Sequence, residues 1–229
     1  MTPHSSFGKQ VSNNNEPLKT TPEVISKYGY SVRKKLKPIF KSLDVPYPPK
    51  HLTWIALKSE KSLQLFAPDR RGKNQLLLVY SIIGASGTSG PKLREGDKQV
   101  PEGFYKIDGF RPNVIAHLAV SVNYPNAEDI AHARAEKRKN LGSDILIHGS
   151  KWSTGCLAMG NEPIEELFVL AHDTGIKNID LIFAPWNFSS EPQKSKQTIT
   201  AEKKYSNQPD WLPGLYLRMA KILKQYPLQ

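Results

Sequence analysis

A single cysteine, Cys156, stands among 229 residues, and that count removes two ways of holding a chain together. One thiol can build neither a disulfide framework nor a multi-cysteine zinc site. The fold therefore rests on an apolar core, and the chain is long enough to bury one. The thiol sits in His148-Gly149-Ser150-Lys151-Trp152-Ser153-Thr154-Gly155-Cys156-Leu157-Ala158-Met159. A histidine lies eight positions upstream, and a Ser-Thr-Gly run leads into the sulfur. A base, a flexible turn and a thiol in one short segment favour a nucleophile over an inert buried cysteine.

The hydrophobic pattern predicts a mainly β chain with peripheral helices. Residues 1–19 are polar and read as a mobile tail. A helical extension covers residues 20–49: Thr20-Thr21-Pro22-Glu23 is a helix start, followed by apolar residues at helical spacing until Pro46, Pro48 and Pro49. Arg33, Lys34, Lys35 and Lys37 crowd that helix and read as a solvated face or as a dock for an anionic polymer.

Strands are expected at 52–57 and 62–66, as a hairpin around Lys58-Ser59-Glu60-Lys61, and again at 75–83, 114–122, 144–147 and 178–184. The strand at 144–147 delivers His148. A glycine-rich stretch at 84–91 lacks the lysine spacing of a phosphate-binding loop and reads as a rim loop. Helices are expected at 126–139 and after Asn161, a candidate cap; Ile164, Leu167, Phe168 and Ala171 form one stripe and Gly175 ends it. Residues 189–229 read as a linker and a basic amphipathic helix at 211–226, which packs on the domain or touches a membrane surface.

The cysteine segment resembles the signature of the L,D-transpeptidase catalytic domain, the YkuD-like fold: H-G, a gap, then S-x-G-C-x-x-M. Gly90-Pro91-Lys92-Leu93-Arg94-Glu95-Gly96-Asp97 and Pro101-Glu102-Gly103-Phe104-Tyr105 match two further blocks of that family. Tyr124-Pro125-Asn126 and Ile164-Glu165-Glu166-Leu167 are similar to its murein, YafK-like branch. The resemblance covers residues 50–188 and implies a curved sheet or β-sandwich. It further implies Cys156 as nucleophile and His148 as base and then acid, with the Gly149 carbonyl orienting the imidazole. It places the chemistry on a peptidoglycan stem peptide, at the L-centre of its diamino acid, through a thioester. Transfer to an amine, transfer to water and release of a peptidoglycan-linked lipoprotein all share that intermediate.

Backbone N–H groups of Thr154, Gly155 and Cys156 are candidate oxyanion donors, with Ser153 bonded inside the loop. Arg94, Tyr124, Lys151 and Trp152 are candidate substrate contacts. Two positions depart from the family pattern: Thr154 stands where many members have histidine, and Ala158 where many have arginine. Lys151, Arg94 and Arg134 are candidates to replace that cation. Arg94 and Asp97 also read as an ion pair fixing their loop. His117, His132 and His172 read as structural or surface groups, His132 being nearest the expected cleft. No metal ligand set and no cofactor is expected.

Lysine plus arginine exceed aspartate plus glutamate, 32 against 21, giving a net charge of +11. Such a surface favours polyanions. No nucleic-acid-binding motif accompanies the charge, so nucleic acid is not the expected partner. No apolar run is long enough for a transmembrane segment. A periplasmic location is expected with the signal removed, the alternatives being the cytoplasm or export by another route. Two other readings remain open at this level: a non-catalytic cell-wall-binding module and an exported wall-targeting toxin.

Overall fold

The computed structural model describes residues 18–188 and 208–229. Most of the expected tail and of the expected linker lies outside the described residues. The chain begins with α1 (Thr21–Ser42), whose Thr20 cap and Glu23 satisfy each other's backbone in a capping box. Eight strands follow: β1 (Leu52–Leu57), β2 (Ser62–Pro68), β3 (Asn74–Ser81), β4 (Gly103–Val114), β5 (His117–Val122), β6 (Ile145–His148), β7 (Leu157–Ala158) and β8 (Ile179–Ala184). Between them lie α2 (Ala127–Ala135) and α3 (Asn161–Thr174), and the chain closes with α4 (Leu212–Leu223). Among the described residues, no helix is long and apolar enough to cross a membrane.

The strands form one mixed sheet in the order β3-β2-β1-β8-β4-β5-β6-β7. Strand β4 joins its two halves. Gly103 to Lys106 pair with β8, and the stretch from Ile107 onward pairs with β5. The register shifts between Ile107 and Gly109 and again between Arg111 and Val114. Such bulges bend a strand and increase its twist, which lets one strand serve both halves.

Strand β4 is the longest, yet the sequence pattern does not show it. Gly103, Gly109 and Pro112 interrupt it, and its far half is only partly buried. The strand expected at 114–122 is instead the end of β4, a turn, and β5, which starts at His117 with φ of 81°.

The core explains why β1 is buried along its whole length. Trp54 and Ala56 face the main core with Val120, Ile147, Phe168 and Phe183. Ile55 and Leu57 face the other way, onto Leu212, Leu215, Tyr216, Met219 and Leu223 of α4. The C-terminal helix therefore packs on the domain. Each fully buried side chain of this kind contributes about 1.5–3 kcal/mol.

Helices α1 and α3 pack on the opposite side. The basic crowd of α1 divides: Lys34 and Lys37 stay exposed, while Arg33 and Lys35 turn to α3. Arg33 makes a two-point ion pair with Asp173, at 2.7 and 2.8 Å, and Tyr47 donates to the same carboxylate. Lys35 reaches Glu162 and Glu166 of α3. These cations dock one helix on the other.

Candidate active site

Strands β6 and β7 run in parallel, pairing Ile147 with Leu157 and His148 with Ala158. Paired residues share a face and successive residues alternate. Ile147 and Leu157 point into the core. Cys156, one residue before Leu157, and His148, one after Ile147, therefore take the other face. Cys156 stands immediately before β7 and His148 closes β6.

The imidazole is 5% exposed, and its Nδ1 lies 2.6 Å from the Gly149 carbonyl. A carbonyl only accepts, so Nδ1 carries the hydrogen and Nε2 holds the basic lone pair. Burial lowers the pKa of His148, and the Gly149 hydrogen bond opposes that less strongly.

The sulfur of Cys156 accepts the Leu146 N–H at 3.3 Å and donates to the Asp144 carbonyl at 3.7 Å. Burial pushes the thiol pKa up; the Leu146 contact pulls it down by less. Both groups are thus biased to their neutral forms at pH 7. The sulfur's bonds are to Leu146 and Asp144, on the backbone before His148.

The loop between His148 and Cys156 is held by the expected bond within it and by bonds to residues outside it. Asn161 does not cap α3. The cap position is Gly160, with φ of 86°, while the Asn161 side chain accepts the Ser150 N–H at 2.9 Å. Ser153 Oγ donates to the Cys156 carbonyl at 2.5 Å. The Gly155 N–H donates to Ser86 Oγ at 2.7 Å, so this expected oxyanion donor is already engaged. Ser86 belongs to the glycine-rich stretch that sequence reading placed only as a rim loop. Gly155 takes φ of 83°, where other residues are strained. Gly149 is needed for space instead: a Cβ there would lie 2.5 Å from the Ala116 carbonyl.

The remaining expected contacts separate. Tyr124 is buried, and its hydroxyl reaches the Leu141 and Lys92 carbonyls at 3.1 and 3.3 Å. It braces two loops and presents no face to a ligand. Asp97 pairs with Lys92 at 2.8 Å and meets Arg94 only through the Arg94 backbone N–H, so the expected Arg94–Asp97 ion pair does not form. The Arg94 side chain is left exposed at a cavity. Trp152 is 77% exposed with the Lys151 ammonium over its ring, on the loop that leads to the thiol. Arg134 is exposed on α2. His117 bonds Glu165, His132 stacks on Trp211, and His172 contacts Asp173. Among the described residues, no group of three or more His, Cys, Asp or Glu side chains is placed to hold a metal ion.

This chain belongs to the L,D-transpeptidase catalytic domain family (YkuD), whose sequence profile matches residues 54–177. YafK of Escherichia coli strain K12, carried under a provisional L,D-transpeptidase name, is 39% identical over 114 residues, 48% of this chain. The match covers 43% of that relative's length. Among solved structures, the helical cell shape determining protein Pgp2 of Campylobacter jejuni aligns with a TM-score of 0.48 and 18% identity, covering 76% of this chain and 68% of Pgp2. Bd1075 of Bdellovibrio bacteriovorus aligns with a TM-score of 0.43 and 18% identity, over 76% and 69% of the two chains.

Proposed function

We propose that the protein is a cysteine-dependent enzyme of peptidoglycan acyl transfer or hydrolysis, acting at the L-centre of the stem-peptide diamino acid. The observation that carries this reading is the bond from His148 Nδ1 to the Gly149 carbonyl. It leaves Nε2 as the basic atom, on the sheet face that Cys156 shares. Family membership and the likeness to YafK support the peptidoglycan substrate. A wall substrate implies a periplasmic site of action, and a peptidoglycan-linked lipoprotein is a further candidate substrate.

The thiol first turns from the Asp144 carbonyl towards His148 Nε2. The imidazole takes its proton, and the sulfur forms a bond to the substrate carbonyl carbon. The N–H groups of Thr154 and Cys156 stabilise the oxyanion, with Ser86 and Ser153 holding the loop in shape. The intermediate collapses, the amine leaves with the proton from the imidazolium, and a thioester remains. An amine or water, deprotonated by His148, then releases the acyl group and the free thiol.

The test incubates the protein and Cys156→Ala with tetrapeptide and tripeptide muropeptides and resolves products by mass spectrometry. Loss of one D-alanine without dimers identifies a carboxypeptidase. A crosslinked or exchanged product identifies a transpeptidase. Either activity must fall at least about 10⁴-fold in Cys156→Ala. Unchanged muropeptides, together with salt-sensitive binding to sacculi, would replace this reading with a wall-binding module.

A further inference from the structure

Helix α1 carries charge out of proportion to its length. Six Lys and Arg side chains against one Glu give it +5, where the whole chain carries +11. Val32, Leu36 and Phe40 are buried against the domain, and Arg33 and Lys35 are engaged with α3. The other four cations, Lys27, Lys34, Lys37 and Lys41, are all exposed. With Tyr30 they follow one another at intervals of three or four residues. That spacing puts them on one face of the helix, turned away from the buried side, over about 21 Å from Lys27 to Lys41.

The face lacks counter-charge. Among the described residues, none of the four lysines has a carboxylate within ion-pair distance; the ion pairs of this helix run from Arg33 and Lys35. Lys27 lies over the Tyr28 ring and Lys37 over the Tyr47 ring. Glu23, at the start of the same face, is bonded to the backbone N–H groups of Lys19 and Thr20. Asp44, past the other end, is paired with Arg70 at 3.0 Å. Tyr30 stands among the lysines, 78% exposed.

A helix face is a convex ridge, with no cleft to grip a strand. A flat surface touches such a ridge along one line, which is how these five side chains are arranged. Lipid head groups move laterally and meet lysines at any spacing, whereas a polymer must match the spacing of its own charges. Tyrosine is favoured at the head-group level of a bilayer, its ring towards the acyl chains and its hydroxyl in water. Tyr30 is the one exposed large apolar side chain on α1, so attachment is electrostatic and reversible.

We propose that this face of α1 docks the protein on an anionic lipid bilayer, with the four lysines on the head groups and Tyr30 at the interface. The helix lies along the surface and does not cross it. The inference goes beyond the enzymatic reading and does not rest on it.

The test is co-sedimentation of the whole chain with vesicles of equal parts phosphatidylglycerol and phosphatidylcholine, and with phosphatidylcholine alone, at low and high salt. Binding should be confined to the anionic vesicles and lost at high salt. A lysine near such a surface is worth about fivefold in partitioning, so Lys27, Lys34, Lys37 and Lys41 all changed to Gln should lower it on the order of 10³-fold. Gln is close to Lys in helix propensity, so the fold should hold. Tyr30→Ser should weaken binding several-fold, and the four lysines changed to Arg should keep it. Changing Lys61, Lys73, Lys137 and Lys221 to Gln removes the same charge elsewhere and should cost about tenfold or less. Equal losses from the two lysine sets, or no binding to anionic vesicles, would overturn the proposal and leave a solvated face. Binding to isolated sacculi that needs the four α1 lysines, with none to vesicles, would overturn it in favour of an anionic wall polymer. Muropeptide turnover, which tests the enzymatic reading, is measured without vesicles, so the two readings fail separately.

Discussion

Ser86 and Gly155, 69 residues apart in the chain, are joined by a 2.7 Å bond from the glycine N–H to the serine hydroxyl. The same hydroxyl donates to the Lys98 carbonyl at 2.7 Å. One side chain thus ties the glycine-rich loop, the Gln99 segment and the residue before Cys156. On the proposed mechanism Ser86 is a positioning residue: it holds the backbone beside Cys156 without touching the reacting atoms.

Replacing Ser86 by alanine should leave the buried Gly155 N–H unsatisfied, at a cost of about 1–3 kcal/mol. The expected result is a kcat lowered on the order of tenfold with KM little changed, since the loop holding the nucleophile loosens while substrate contacts remain. Ser86→Thr keeps the hydroxyl and should recover most of the loss. Equal kcat values for wild type and Ser86→Ala would show that the anchor is irrelevant to the chemistry.

The thiol and the imidazole shift in opposite directions, and both shifts favour the neutral forms. Alkylation of Cys156 in the resting protein should therefore be slower than that of a free cysteine at pH 7, with its inflection displaced to higher pH. An acid-shifted inflection would instead mean a preformed ion pair. Stability follows the same signs. The folded pKa of His148 is depressed, so its contribution is present above about pH 6.5, the ordinary histidine value, and is lost as pH falls. The folded pKa of Cys156 is raised, so its contribution is present below about pH 8.5 and is lost as pH rises. Melting temperatures across pH 4–10 should show both declines, the acid one reduced in His148→Gln and the alkaline one in Cys156→Ala.

Glu102 is buried where three parts of the fold meet. It pairs with Lys58 at 2.8 Å, accepts the Gly90 N–H at 2.9 Å, and accepts the Tyr216 hydroxyl of α4 at 2.5 Å. Removing one member of such a pair strands the other charge, at about 3–5 kcal/mol. Lys58→Met should lower the melting temperature by roughly 10 °C. Lys58→Met with Glu102→Gln should lower it less than Lys58→Met alone, because no buried charge is then left unpaired. An additive double variant would show that the pair does not act as a unit.

Much of this architecture is written in short-range pattern. The capping box at Thr20 and Glu23, the Ile164–Ala171 stripe, the hairpin around Lys58 and the amphipathic C-terminal helix all arise from residues a few positions apart. Each is a local satisfaction of backbone groups or a local apolar face, so each is legible before any tertiary contact exists. The Cys156 and His148 segment is legible for the same reason, since nine consecutive residues contain the whole pair.

Tertiary structure decided the rest. Strand β4 is held by partners far away in the chain, and its interrupted pattern makes sense only once β8 and β5 flank it. Asn161 stands where a helix cap is expected, yet its side chain accepts the Ser150 N–H of the neighbouring loop. Tyr124 is a loop brace because two distant carbonyls converge on its hydroxyl. Ser86 meets Gly155 only where the folded sheet brings separate loops to one edge. The dividing line is range: sequence alone determines what neighbours along the chain can satisfy, and the fold determines which remaining donors, acceptors and charges find each other across it.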